Sequence, residues 1–96
     1  MTANIPNNVR KDIYRRDGFR CALCDSTDGL QIHHVIPRGE GGSDFPENLI
    51  TLCWRCHAMA HSSGFHDMPP ITKDRIEQQC IEYVSDIYAG DWYPFK

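Results

Sequence analysis

Apolar positions along the 96 residues fall into short patterned segments separated by glycine and proline. Over 6–16, Val9 and Ile13 stand four apart, Pro6 suits a first helical turn and Asp17-Gly18 a stop, which predicts a helix with a basic opposite face. The run 30–36 predicts a strand that packs Leu30, Ile32 and Val35 inward and ends at Pro37. Residues 38–47 hold Gly39, Gly41, Gly42 and Pro46 and read as a loop without regular structure. NLITL over 48–52 predicts a second strand, antiparallel to the first. Residues 53–62, CWRCHAMAHS, lack Pro and Gly and favour a helix in which His57 and His61 share one face. A linker through Gly64, Pro69 and Pro70 leads to a last helix over 72–89, striped by Ile76, Cys80, Val84 and Ile87 or Tyr88 and ended by Gly90. That helix reads as a structural brace. The closing DWYPFK predicts an aromatic end packed on the core or a frayed terminus.

Two short strands and a helix, flanked by a helix on either side, make an α+β domain over 1–96, with a core at 10–62 and a C-terminal helical brace at 71–90. At this size the burial of apolar surface barely outweighs the conformational entropy lost on folding, so extra staples are expected. The hydrophobic content of 41% is that of a globular chain, and no apolar run is long enough to span a membrane. No secretion signal is visible at the amino terminus, and a reducing cytoplasm is the expected compartment. In 1–62 the basic and acidic side chains cancel, so the net charge of −3 belongs to 63–96. The cysteine and histidine region therefore stays open to an anionic partner, with the acidic tail expected on the opposite face.

Five cysteines are too many by one for a disulfide framework, and four of them form two CxxC pairs, Cys21/Cys24 and Cys53/Cys56. Each pair offers two thiolates from one turn, and together they complete the tetrahedral shell of a structural zinc. Such a site supplies on the order of 10 kcal/mol of folding energy, large beside a core this small. Cys80, alone on an apolar stripe, reads as core.

Histidines form the second constellation. His33 and His34 are adjacent on the first predicted strand, and their side chains should diverge because successive positions alternate faces. His57 and His61 are spaced to hold one ion from one helical face, and one strand histidine could complete a three-imidazole site with open positions. The other would remain free to move a proton. A second structural zinc bound by all four histidines is the alternative.

His33-His34, Pro37, Gly41-Gly42, Asn48-Leu49, Leu52, Cys53-x-x-Cys56-His57 and His61 together resemble the HNH endonuclease pattern, a ββα-metal nuclease core beside a cysteine tetrad. The resemblance covers about 10–62. It implies that His33, His57 and His61 hold a catalytic divalent metal, that His34 is the general base, and that Asn48 ties the loop to the first strand and orients that base. It also implies DNA as substrate, cut to 5′-phosphate and 3′-hydroxyl ends. An imidazole shell favours Mn, Co, Ni or Zn over Mg. Arg38, just past the first strand, is the candidate phosphate clamp, although a solvated loop arginine fits the charge equally well. Arg15, Arg16 and Arg20 are weaker candidates for following the double-stranded DNA backbone. Trp54 either packs under the zinc, the preferred reading, or approaches a base.

With no separate recognition module in the sequence, low intrinsic specificity is expected, or specificity supplied by a partner protein; a homodimer is one route to cutting both strands. The competing function is a noncatalytic zinc module that binds nucleic acid or protein. Such a module needs no free base beside an open metal position, so His34 discriminates the two.

Overall fold

The computed structural model describes residues 5–61, 70–89 and 92–95. Helix α1 spans Asn7–Arg16, begins after Pro6 and stops at Asp17, whose N–H still reaches the carbonyl of Ile13 at 3.0 Å. Its apolar side buries Ile13 with Ile5 and Leu49, and Val9 and Ile32 pack on that cluster. Strands β1 (Gln31–His34) and β2 (Leu49–Leu52) pair antiparallel, with Gln31 opposite Leu52 and His34 opposite Leu49. Both are shorter at their loop ends than the apolar runs suggest. Asn48 causes this: its carbonyl accepts from the N–H of Val35 at 2.9 Å and its side chain from the N–H of Ile36 at 2.7 Å, so a side chain replaces the ladder.

β2 is buried along its whole length because both of its faces are covered. Leu49 faces α1, while Ile50 and Leu52 join a second cluster with Val35, Cys21, Cys53, Cys56 and Ala60. Helix α2 (Trp54–Ala60) closes this side, its first turn capped by the Cys53 sulfur, which accepts from the N–H of Cys56. Helix α3 (Pro70–Ile87) lays Ile76, Cys80 and Val84 on the same cluster, as its stripe requires. It starts at Pro70 rather than 72, consistent with proline's fit to a first turn. Ile87 is exposed, and Tyr88 instead receives a hydrogen bond from Arg16 at 3.2 Å.

Of the expected inward set of the first strand run, Val35 is buried and Leu30 and Ile32 pack partly buried on the two clusters; what it missed is His33, the buried side chain of β1, because each face of a two-stranded sheet meets a different helix.

The loop after β1 is not irregular throughout. It forms 3-10 turns at Arg38–Glu40 and Pro46–Asn48, with Gly41 at φ 90° between them. Gly42 is required by close approach: a Cβ there would lie 1.8 Å from the carbonyl oxygen of Ile36. Of the aromatic end, 92–95 are described: Trp92 packs on the core, while the Tyr93 and Phe95 side chains stay exposed. Trp92 rests on the second cluster and donates its indole N–H to the carbonyl of Glu47 at 2.8 Å, Ser43 donates to the carbonyl of Pro94 at 2.9 Å, and Gly42 bridges Phe95. The loop is thus gripped from the C-terminal side. Gly64, His66, Pro69 and Gly90 lie outside the described residues. Among those described, no helix is long and apolar enough to cross a membrane.

Candidate metal centre and active-site cavity

The two CxxC turns meet. The sulfurs of Cys21, Cys24, Cys53 and Cys56 lie within 4.8 Å of one another, an arrangement compatible with tetrahedral metal binding. Ala22 donates to the carbonyl of Thr51 at 2.9 Å, which stitches the first turn to β2, and Asp25 takes φ 67° to close it. Burial and the neighbouring Cys21 push the Cys56 thiol up: crowded sulfurs resist ionising together, a resistance that a bound cation relieves. Cys80 stands outside the tetrad, fully buried on α3, its thiol raised to about 12 by burial. Trp54 follows Cys53 directly, is 47% exposed, crosses close to Gly29 and has the Arg55 guanidinium 5.6 Å from its ring centroid.

A second group forms where β1 meets α2. His33 and the α2 pair His57 and His61 place ring nitrogens within 4.8 Å of one another. Helical spacing brings His57 and His61 together, with Nε2 atoms 3.1 Å apart, and the strand turns His33 towards them. His57 donates from Nδ1 to the Gln31 side-chain carbonyl, which leaves its Nε2 unprotonated towards the cluster, the form that ligates. Burial first, and then the charges of His57 and His61, push His33 down to about 3, and burial with His61 lowers His57. Three imidazole nitrogens gathered this closely suit a divalent ion. Gln31 precedes His33 by two and so shares its strand face, a signal the sequence reading passed over.

His34 points elsewhere, as strand alternation requires. Its Nε2 donates to the Asp44 carboxylate at 2.8 Å, and Arg38 donates to the same carboxylate from Nε at 3.1 Å and from a terminal nitrogen. The Arg38 bonds hold Asp44 down at about 2, against partial burial and with help from His34. Arg38 therefore pairs with Asp44 while its side chain stays 44% exposed. Asp44 had no signal in spacing, because its place depends on how the glycine loop closes.

Asn48 is fully buried beneath that loop. Its Nδ2 donates to the carbonyls of Ile36 at 3.0 Å and Ser43 at 2.9 Å, so both ends of the loop are tied to one side chain. The three clustered imidazoles and His34 line one cavity of about 700 Å3, walled on its other sides by Arg10 of α1 and by Lys73 and Glu77 of α3. That placement corrects the expectation that the acidic C-terminal part lies wholly on the opposite face. Lys73 pairs with Glu77 at 2.8 Å there, so the two charges largely offset each other.

Arginines of the N-terminal segment separate into two kinds. Arg15 and Arg20 are exposed and paired with Asp12 and Asp25. Arg16, expected to follow a nucleic-acid backbone, is instead an internal tie. It donates to both carboxylate oxygens of Asp17, to the carbonyls of Pro46 and Leu49 and to the Tyr88 hydroxyl, with its side chain only 15% exposed.

The family model described as HNH endonuclease matches residues 21–63. The Type IV methyl-directed restriction enzyme EcoKMcrA of Escherichia coli is 44% identical over 41 residues, 43% of this chain and 15% of that protein. Anaredoxin of a Nostoc species is 34% identical over 54 residues, 55% of this chain and 71% of that one. Probable mobile endonuclease C of Enterobacteria phage T4 is 48% identical over 33 residues, 34% of this chain. The chain thus spans only 15% of the restriction enzyme and 16% of the phage endonuclease.

Proposed function

The chain belongs to the HNH endonuclease family, and on that premise we propose that it hydrolyses phosphodiester bonds of double-stranded DNA, with His34 as general base beside one divalent ion held by His33, His57 and His61. The observation that carries this reading is the division of labour between neighbours: His33 joins the imidazole cluster, while His34 stays outside it on the wall of the same cavity.

Hydrolysis of a phosphodiester needs an activated water, stabilised phosphoryl charge and help for the departing oxygen. The ion, when bound, supplies Lewis-acid stabilisation of the developing charge. His34 takes the proton of the attacking water. Asn48 keeps the loop closed over Ile36 so that this ring holds its place relative to β1. Arg10 and the exposed Arg15 and Arg20 offer cations for flanking phosphates, and such contacts position the strand without reading its sequence. Low intrinsic specificity follows, with a partner protein or a second copy as the source of targeting and of second-strand cleavage. The cysteine tetrad, as a zinc site, anchors the N-terminal turn to α2. Its reduced thiolates suit a cytoplasmic protein.

Incubation of the purified protein with supercoiled plasmid, in EDTA and after addition of Mn, Ni, Co, Zn or Mg, tests the reading. Metal-dependent nicks that a ligase can reseal, because they carry 5′-phosphate and 3′-hydroxyl ends, are expected. Plasmid bound but never nicked with any metal would leave the noncatalytic zinc module.

A further inference from the structure

We propose that Asp44, braced by Arg38, is a positioning residue that holds His34 in the tautomer with its proton on Nε2 and its open lone pair on Nδ1. The inference rests on the base role proposed for His34. It begins from what each group is able to do. An arginine side chain only donates, and an ionised carboxylate only accepts. Arg38 donates twice to Asp44, so Asp44 is kept as the acceptor, and the hydrogen in its 2.8 Å bond to His34 must belong to the imidazole Nε2. A neutral imidazole with Nε2 protonated has its remaining lone pair on Nδ1. The chain of three side chains therefore selects one of two tautomers.

A carboxylate on a loose loop could not impose this. Asp44 sits on a loop pinned on both sides. Ser43 before it is held by Asn48 Nδ2 at its carbonyl and by Pro94 at its N–H, and the N–H of Phe45 after it donates to the Ser43 hydroxyl at 3.2 Å. Gly42 lies against the carbonyl of Ile36, so the loop cannot swell outward from β1 without breaking that approach. The bond is also partly sheltered: the His34 side chain is 16% exposed and the Asp44 side chain 33%. Arg38 thereby gains a role that does not require it to touch a phosphate. Two of its nitrogens are already directed at Asp44.

Removing the acceptor separates this role from that of an ordinary surface ion pair, which contributes little. Asp44→Leu keeps a side chain of similar length and offers no acceptor, so the imidazole Nε2–H loses the partner that fixes it. His34 is then free to carry its proton on either ring nitrogen, and a ring with the proton on Nδ1 has no lone pair there for a water. Loss of the constraint lowers turnover without removing the base.

The test is nitrogen NMR of the histidine rings in the zinc-loaded protein, which is diamagnetic, at neutral pH and without DNA, beside single-turnover plasmid nicking. Wild type and Arg38→Lys, which keeps a donor to Asp44, should show His34 with the proton on Nε2. Asp44→Leu should show both tautomers of His34, with the nicking rate down about 10- to 100-fold and plasmid affinity not weakened. A His34 ring that keeps its proton on Nε2 alone in Asp44→Leu overturns the proposal, as does an unchanged rate. If the wild type does not nick at all, the nuclease reading falls on its own, and the ring spectra still decide what Asp44 does to His34.

Discussion

Asn48 and Ile36 hydrogen-bond to each other in both directions: the Ile36 N–H donates to Asn48 Oδ1 at 2.7 Å and Asn48 Nδ2 donates to the Ile36 carbonyl at 3.0 Å. A side-chain amide thus extends the β1–β2 ladder by one step and closes the loop that presents Asp44 to His34. Replacing Asn48 with Ala leaves the part-buried N–H and carbonyl of Ile36 and the buried carbonyl of Ser43 without their partner. A loss of about 3 kcal/mol in denaturant unfolding is expected, together with loss of nicking. Asn48→Asp should fare little better, because an acceptor would then face two carbonyls.

Arg16 gives a contrasting prediction. Its donors end on Asp17, Pro46, Leu49 and Tyr88, all inside the fold, and Asp17 in turn accepts from the N–H of Thr51 at 2.9 Å and the Tyr83 hydroxyl at 3.0 Å. Arg16→Met should cost about 3 kcal/mol of stability, because it strands a buried carboxylate and two carbonyls. DNA affinity per folded molecule should not change. Arg15→Ala and Arg20→Ala should show the reverse: near-normal melting, with weaker plasmid binding in gel-shift titrations.

Burial lowers His33 from its ordinary 6.5 to about 3, so the folded state refuses a proton that the unfolded chain takes up. A group with a depressed cationic pKa destabilises the fold as pH falls below its unfolded value. Wild type should therefore lose stability relative to His33→Leu between pH 6.5 and about 3 and run parallel to it above pH 7. The effect is on the order of a few kcal/mol, and denaturant melts of both proteins, with a mild chelator to strip the imidazole site, read it directly. Parallel curves down to pH 4 would show that the ring is hydrated in the folded protein.

Removing a tetrad ligand acts on folding rather than chemistry. Cys53 both belongs to the sulfur cluster and caps α2 through the N–H of Cys56. Cys53→Ala, or strong chelation of the wild type, should abolish the cooperative melt, since a structural zinc is worth on the order of 10 kcal/mol. Atomic absorption should find one tightly held zinc per wild-type chain and none in the variant.

Much of this was legible in the sequence for a physical reason. Paired CxxC turns and i, i+4 histidines are short-range geometries, and they placed Cys21, Cys24, Cys53 and Cys56 in one cluster and His57 beside His61; strand alternation left one of His33 and His34 to join the pair, and the resemblance to the HNH pattern implied His33. Local pattern could not show which face of a two-stranded sheet is the more buried, so His33 rather than Ile32 came out as the buried position of β1. Nor could it distinguish Arg16 from Arg15: both follow the same helical turn, and only the docking of 46–49 and Tyr88 draws one of them inside. Asp44 and Lys73 reach the site through the loop closure and through α3, which are tertiary facts.

The account stands on His34 being needed for cleavage and not for holding metal. Calorimetric titration of the imidazole site with Ni2+, run on the same preparations of wild type, His34→Ala and His57→Ala that are assayed for plasmid nicking, measures this most directly. His34→Ala should bind the ion as wild type does and fail to nick, while His57→Ala should lose both. A His34→Ala protein that no longer binds Ni2+, or one that binds it and nicks at the wild-type rate, would contradict the account.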